Sequence, residues 1–149
     1  MRLTARIVTI WLAAGAVSGC VTNVSGYRVP GADVENLETL LLVPPDAATD
    51  DRGLRLLISQ EFERRGYRVL AYDTADRSVP GTAILDYDAA WEWDITTFLT
   101  ELRIALYEPD NRLLIGQAHS HQSSFARRAP EEIVRRAVDE LLGSEGETQ

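Results

Sequence analysis

The stretch "TAILDYDAAWEWD", Thr82 to Asp94, decides the fold. Its odd positions are Leu85, Tyr87, Ala89, Trp91 and Trp93, and its even positions include Asp86, Asp88, Glu92 and Asp94. An apolar residue at every second place, with acids between, is the pattern of a strand with one covered and one wet face. The same period continues in "LTELRIALYE", where Leu102, Ile104 and Leu106 alternate with Glu101, Arg103 and Tyr107. After a turn at "PDN", Pro109 to Asn111, a third strand "RLLIGQAHSHQSSF" sets Leu114, Gly116, Ala118 and Ser120 against Gln117, His119 and His121. Three alternating segments joined by short turns predict an antiparallel meander.

On either side of the meander the period changes. Upstream, "LETLLLV" (Leu37 to Val43) is a short apolar run stopped by Pro44 and Pro45, the mark of a buried strand. Then "DDRGLRLLISQEFERRG" spaces Leu54, Leu57, Ile58 and Phe62 by helical turns, opposite Arg55, Glu63 and Arg64. Asp50 or Asp51 suits the helix start and Gly66 its end. "YRVLAY" (Tyr67 to Tyr72) follows as a strand, and strand, helix and strand with short joints predict a parallel pair with a right-handed crossover. Downstream, "PEEIVRRAVDELLG" begins with Pro130 and two acids and carries Ile133, Val134, Ala137, Val138, Leu141 and Leu142 on one stripe. The order is β-α-β-β-β-β-α: a two-layer α/β sandwich, with both helices on one face of a mixed sheet.

The strand pair "LRIALYEPDNRLLIGQA" resembles one found in periplasmic α/β lipoproteins, among them activators of penicillin-binding proteins and the N-terminal region of the curli-secretion lipoprotein. "YDAAWEWD" followed by "IGQA" is similar to a group of small, uncharacterised proteobacterial lipoproteins with a W-x-W-D signature. The resemblance spans roughly residues 37–142 and implies a fold and a compartment. It implies no activity.

The N-terminus points to the same compartment. Arg2 and Arg6 precede the apolar run "IVTIWLAAGAV" (Ile7 to Val17), and small residues lead to Cys20, the sole cysteine. This is the layout of a secretory signal, and the run is short of the roughly 20 residues that span a bilayer. Val17, Ser18, Gly19 and Cys20 resemble the bacterial lipobox, which implies cleavage before Cys20 and acylation of its thiol. The alternatives are a secreted protein cleaved nearby, or a retained N-terminal helix. Val21, Thr22 and Asn23 follow the cysteine, and the lack of aspartate directly after it implies sorting to the outer membrane, on its periplasmic face. The expected division is a signal peptide over 1–19, a lipidated start with a flexible tether over 20–36, one α/β domain over 37–143 and a frayed tail over 144–149. The tether reading rests on Ser25, Gly26, Pro30 and Gly31, which break any period.

Composition narrows the partners. The formal charge of the chain is −8, and loss of Arg2 and Arg6 with the signal makes it two units more negative. An acidic chain is a poor partner for nucleic acid and for a polybasic grip on anionic lipid, which leaves the membrane, through the lipid, and an envelope protein as expected partners. With a single cysteine no internal disulfide forms. There is no Gly-rich phosphate loop, no G-x-S-x-G elbow and no H-E-x-x-H, and neither Ser120, Ser123 nor Ser124 is singled out as a nucleophile. The expectation is a domain without catalysis and without a cofactor beyond the lipid on Cys20.

Two local features stand out. His119 and His121, two apart on a strand, share a face, and the meander register brings Glu101 beside one of them and Glu92 beside Glu101. His119, His121 and Glu101 could hold zinc or copper, or could be cross-strand polar pairs on a wet face. Trp91 and Trp93 fall on the helix-covered side, as core or as an apolar patch that reaches past the helices to a partner.

Overall fold

The computed structural model describes residues 22–32, 34–45 and 52–143. The expected signal with Cys20, the expected tail and the expected caps Asp50 and Asp51 lie outside these residues. The elements are β1 (Thr22–Arg28), β2 (Thr39–Leu42), α1 (Leu54–Arg64), β3 (Arg68–Ala71), β4 (Thr82–Asp94), β5 (Thr96–Tyr107), β6 (Leu114–Gln122) and α2 (Pro130–Leu142). They form the expected two-layer α/β sandwich, with one six-stranded sheet in the order β1-β6-β5-β4-β2-β3. β2 runs parallel to β3 and β4, and β4, β5, β6 and β1 are antiparallel in turn.

The period-two face is the core. Leu85, Leu102, Ile104, Leu106 and Ala118 are fully buried against Leu54, Ile58 and Phe62 of α1 and Ile133, Val134, Ala137, Val138 and Leu141 of α2. Phe62 meets the Tyr67 ring edge-on, with centroids 5.8 Å apart. α1 begins at Gly53, which makes no side-chain cap, and ends where Gly66 takes a φ of 94°, a conformation costly to any residue with a Cβ. The opposite face is open over β1, much of β6 and the middle of β5 at Glu101 and Arg103, but Leu41, Ile84 and Ala105 are buried there as well, which the alternation alone did not indicate.

The tether reading is corrected. Thr22–Arg28 is an edge strand along β6, from Thr22 opposite Gln122 to Arg28 opposite Gly116. Val34 is 5% exposed within the core, so much of the expected tether is part of the domain. Two causes are visible. Without β1, β6 would leave a row of backbone donors and acceptors unpaired. Gly26 also lets the helix layer come close, since a Cβ there would stand 2.5 Å from the Glu140 carbonyl oxygen of α2. "TNVSGYR" carries a single aliphatic residue, Val24, so its pairing left almost no hydrophobic period to read.

Candidate functional site

Two irregularities re-aim the meander. The β4–β5 ladder runs to Ala90 opposite Glu101 and then skips Thr100, so Trp91 meets Leu99, Glu92 meets Phe98 and Trp93 meets Thr97. The Thr100 hydroxyl donates to the Ala90 carbonyl at 3.0 Å, satisfying the bulge locally. The expected pairing of Glu92 with Glu101 is therefore corrected: Ala90 takes that place. A second bulge skips Ile115 between β5 and β6.

On the open face the histidines lie in separate cross-strand rows. Asn23, His121, Glu101 and Ala90 form one row, and Ser25, His119, Arg103 and Asp88 form the next. His121 Nδ1 lies 3.5 Å from Glu101 Oε1, with both side chains half-exposed. His119 has Arg103 across from it, a guanidinium that repels a cation held by that ring. Its Nε2 is enclosed with no protein partner, beside a crevice of about 20 Å³ lined by Asp88, Ala89, Ala90, Glu101 and Arg103, room for one water molecule. Among the described residues no three of His, Cys, Asp or Glu are grouped to hold a metal. The structure thus brings Glu101 to His121 and leaves His119 outside that pair. Ser120 is buried on the opposite, helix-covered side, so it forms no nucleophile–base pair with either imidazole.

A groove of about 410 Å³ between the helices holds a feature that sequence reading missed. Glu61 is 4% exposed and is paired by Arg64 at 2.9 Å and by Arg65, which also reaches Asp139 of α2. Burial pulls the Arg65 guanidinium down, but the hydrogen bonds it donates to Glu61 and Asp139, with their negative charge, outweigh that and hold it above its ordinary value. The "EFERR" spacing, an acid three and four residues before arginines, was the available signal. The carboxylate is consumed by this cross-helix link.

The two tryptophans separate. Trp91 packs against the core, with the Arg52 guanidinium 5.5 Å over its ring. Trp93 is 77% exposed. It lies where the β4–β5 hairpin has run past the end of β6, one residue beyond the Glu101–His121 pair. Beside it Ile95, at the apex, is 84% exposed with φ 58°, and Phe125 in the loop after β6 is 86% exposed. Polar contacts fix this end. Arg127 bonds Asp94, Thr96 and the Ser124 carbonyl and lies 4.8 Å over the Phe98 ring. The buried Gln122 donates to the Leu99 carbonyl and accepts from the Arg128 amide at 2.9 Å. Arg128 in turn donates to the Thr22 hydroxyl at 3.2 Å. The exposed apolar tip and the first residue of β1 thus belong to one braced end of the sheet. Ile95 and Phe125 went unnoticed in the sequence because neither takes part in a strand or helix period.

No family model matches the chain, and no curated protein matches it in sequence. Among solved structures it is similar to the PelC dodecamer from Paraburkholderia phytofirmans, with a TM-score of 0.59 and 11% identity, over 83% of this chain and 100% of that one. A point variant of that PelC dodecamer gives a TM-score of 0.60 at 12% identity, over 85% and 100%. A PDZ domain protein from Parabacteroides distasonis reaches a TM-score of 0.45 at 12% identity, and this chain matches 35% of it. At such identities the PelC likeness is a likeness of fold.

Proposed function

We propose that this chain is a lipoprotein anchored through Cys20 to the periplasmic face of the outer membrane, whose α/β domain acts by binding or supporting another envelope component and carries out no reaction. The observation that carries this reading is the signal-like segment ending in "VSGC", with the sole cysteine at its end. The resemblance to small W-x-W-D lipoproteins supports it. The PelC neighbours, described as dodecamers, add copies of the chain itself to the partners such a domain could take. The metal-binding alternative draws no support from the row geometry of His119, His121 and Glu101.

Replacing the thiol tests the reading. The wild-type chain is expected to sediment with membranes and to incorporate labelled palmitate, because several acyl chains anchor stably where one does so marginally. Cys20→Ala is expected to lose the label and leave the membrane fraction, or to persist as uncleaved precursor. Unlabelled wild-type protein in the soluble periplasmic fraction would show that Cys20 is not an anchor.

A further inference from the structure

We propose that the β4–β5 hairpin tip, Trp93 and Ile95, together with Phe125, is a membrane-insertion patch that seats the domain on the same bilayer that holds the anchor. The proposal takes its orientation from the anchored reading of Cys20. Three large apolar side chains, each more than three-quarters exposed, stand at one end of the sheet. Such clusters mark contact surfaces. Ile95 sharpens the point, since a β-branched residue at φ 58° is strained where Gly or Asn would sit without cost. A strained, water-exposed isoleucine at a hairpin apex has no stabilising role in the domain, and strain of this kind collects at functional sites.

The course of the chain identifies the occupant. β1 runs antiparallel to β6 from Thr22 opposite Gln122, so β1 starts at the end of the sheet from which the hairpin projects. Cys20 is two residues away, a reach of at most about 7 Å. The hairpin extends from Thr100 to Ile95, roughly 17 Å at about 3.3 Å per residue. With the lipidated residue at the headgroups, the tip would reach deeper by roughly 10 Å, at the upper end of the ~5–10 Å at which interfacial apolar groups bury. Tryptophan suits this boundary, with an apolar ring and one donor.

The charges select the kind of lipid contact. Arg127 is paired with Asp94 and Arg128 with Glu132, and Arg52 lies over the Trp91 ring, so these guanidinium groups at this end are engaged within the protein. Insertion is therefore apolar and indifferent to anionic lipid.

The test uses the full chain in phosphatidylethanolamine vesicles, with and without phosphatidylglycerol, carrying brominated acyl chains. The difference in fluorescence between wild type and Trp93→Phe isolates Trp93. In the anchored protein this signal is expected to shift to the blue, to lose most of its intensity to the bromines and to resist iodide, equally in both lipid mixtures. The same spectra of a Cys20→Ala chain that begins at residue 20, without the apolar signal segment, are expected at rising lipid concentration to show weaker partition, abolished by Trp93→Ser with Ile95→Ser. If wild-type protein carries no lipid the anchored reading falls, and the Cys20→Ala spectra alone decide the hairpin. A Trp93 that stays iodide-accessible and unquenched in protein sedimenting with vesicles would overturn the proposal. So would a Trp93 already shielded from iodide without vesicles in a self-associated species, which would make the occupant a second copy of the chain.

Discussion

Ile104→Asp is expected to leave no folded domain. Ile104 is fully buried at the centre of β5, between Tyr87 of β4 and Ala118 of β6, beneath both helices. A carboxylate placed there loses its water and meets no cation, and an uncompensated buried charge costs about 3–5 kcal/mol on top of the lost apolar contacts. Domains of this size are stable by only about 5–15 kcal/mol. Glu101→Gln, three residues away on the open face, removes a charge that is half-exposed and 3.5 Å from His121, and should change stability by less than about 0.5 kcal/mol. Urea unfolding followed by circular dichroism reads both. Equal effects would mean that the helix-covered face has been misassigned.

Gly26→Val is the second large effect, and it acts on β1. The new Cβ would stand 2.5 Å from the Glu140 carbonyl oxygen and 2.9 Å from its carbon, atoms of the α2 backbone that no rotamer change can move. Either α2 shifts, at a cost of about 1–3 kcal/mol for overpacking, or β1 lifts from the sheet. In the second case the Thr22–Gln122 end of the sheet opens and Arg128 loses its bond to the Thr22 hydroxyl. Ser25→Ala, next along the strand but exposed, should be nearly silent. The expected readout is a lower urea midpoint for Gly26→Val alone. A midpoint equal to that of Ser25→Ala would mean that β1 does not pack beneath α2.

What could be read from the sequence follows from where the hydrophobic period is strong. Leu102, Ile104 and Leu106 fixed the face of β5, and with it the helix-covered side of the sheet, because a one-residue slip would have turned all three to water. The α1 stripe was legible for the same reason, with Leu54, Ile58 and Phe62 all buried. β1 was not legible: it is held by backbone pairing to β6 and by the close approach of α2 at Gly26, and neither leaves an apolar period. The skipped Thr100 was equally silent, so Glu92 was placed opposite Glu101 when Phe98 is its partner. The tryptophans show both sides. Parity placed Trp91 and Trp93 on one face, but exposure depended on where β6 ends, which no local pattern states. Ile95 and Phe125 emerged only once turns and loops were assembled at one end.

The proposed seating of the domain on the membrane requires that β1, which begins at Thr22, two residues after the proposed anchor Cys20, be held in the sheet. Hydrogen exchange of the backbone amides of Thr22–Arg28 in the intact protein measures this directly. An edge strand bonded to β6 is expected to protect every second amide of this segment, with Gly26→Val removing that protection, and that of the β6 amides facing β1, while β5 and the β6 amides bonded to β5 keep theirs. Exchange of all seven residues at the rate of an open chain in the wild-type protein would contradict it, and would restore the reading of residues 20–36 as a flexible tether.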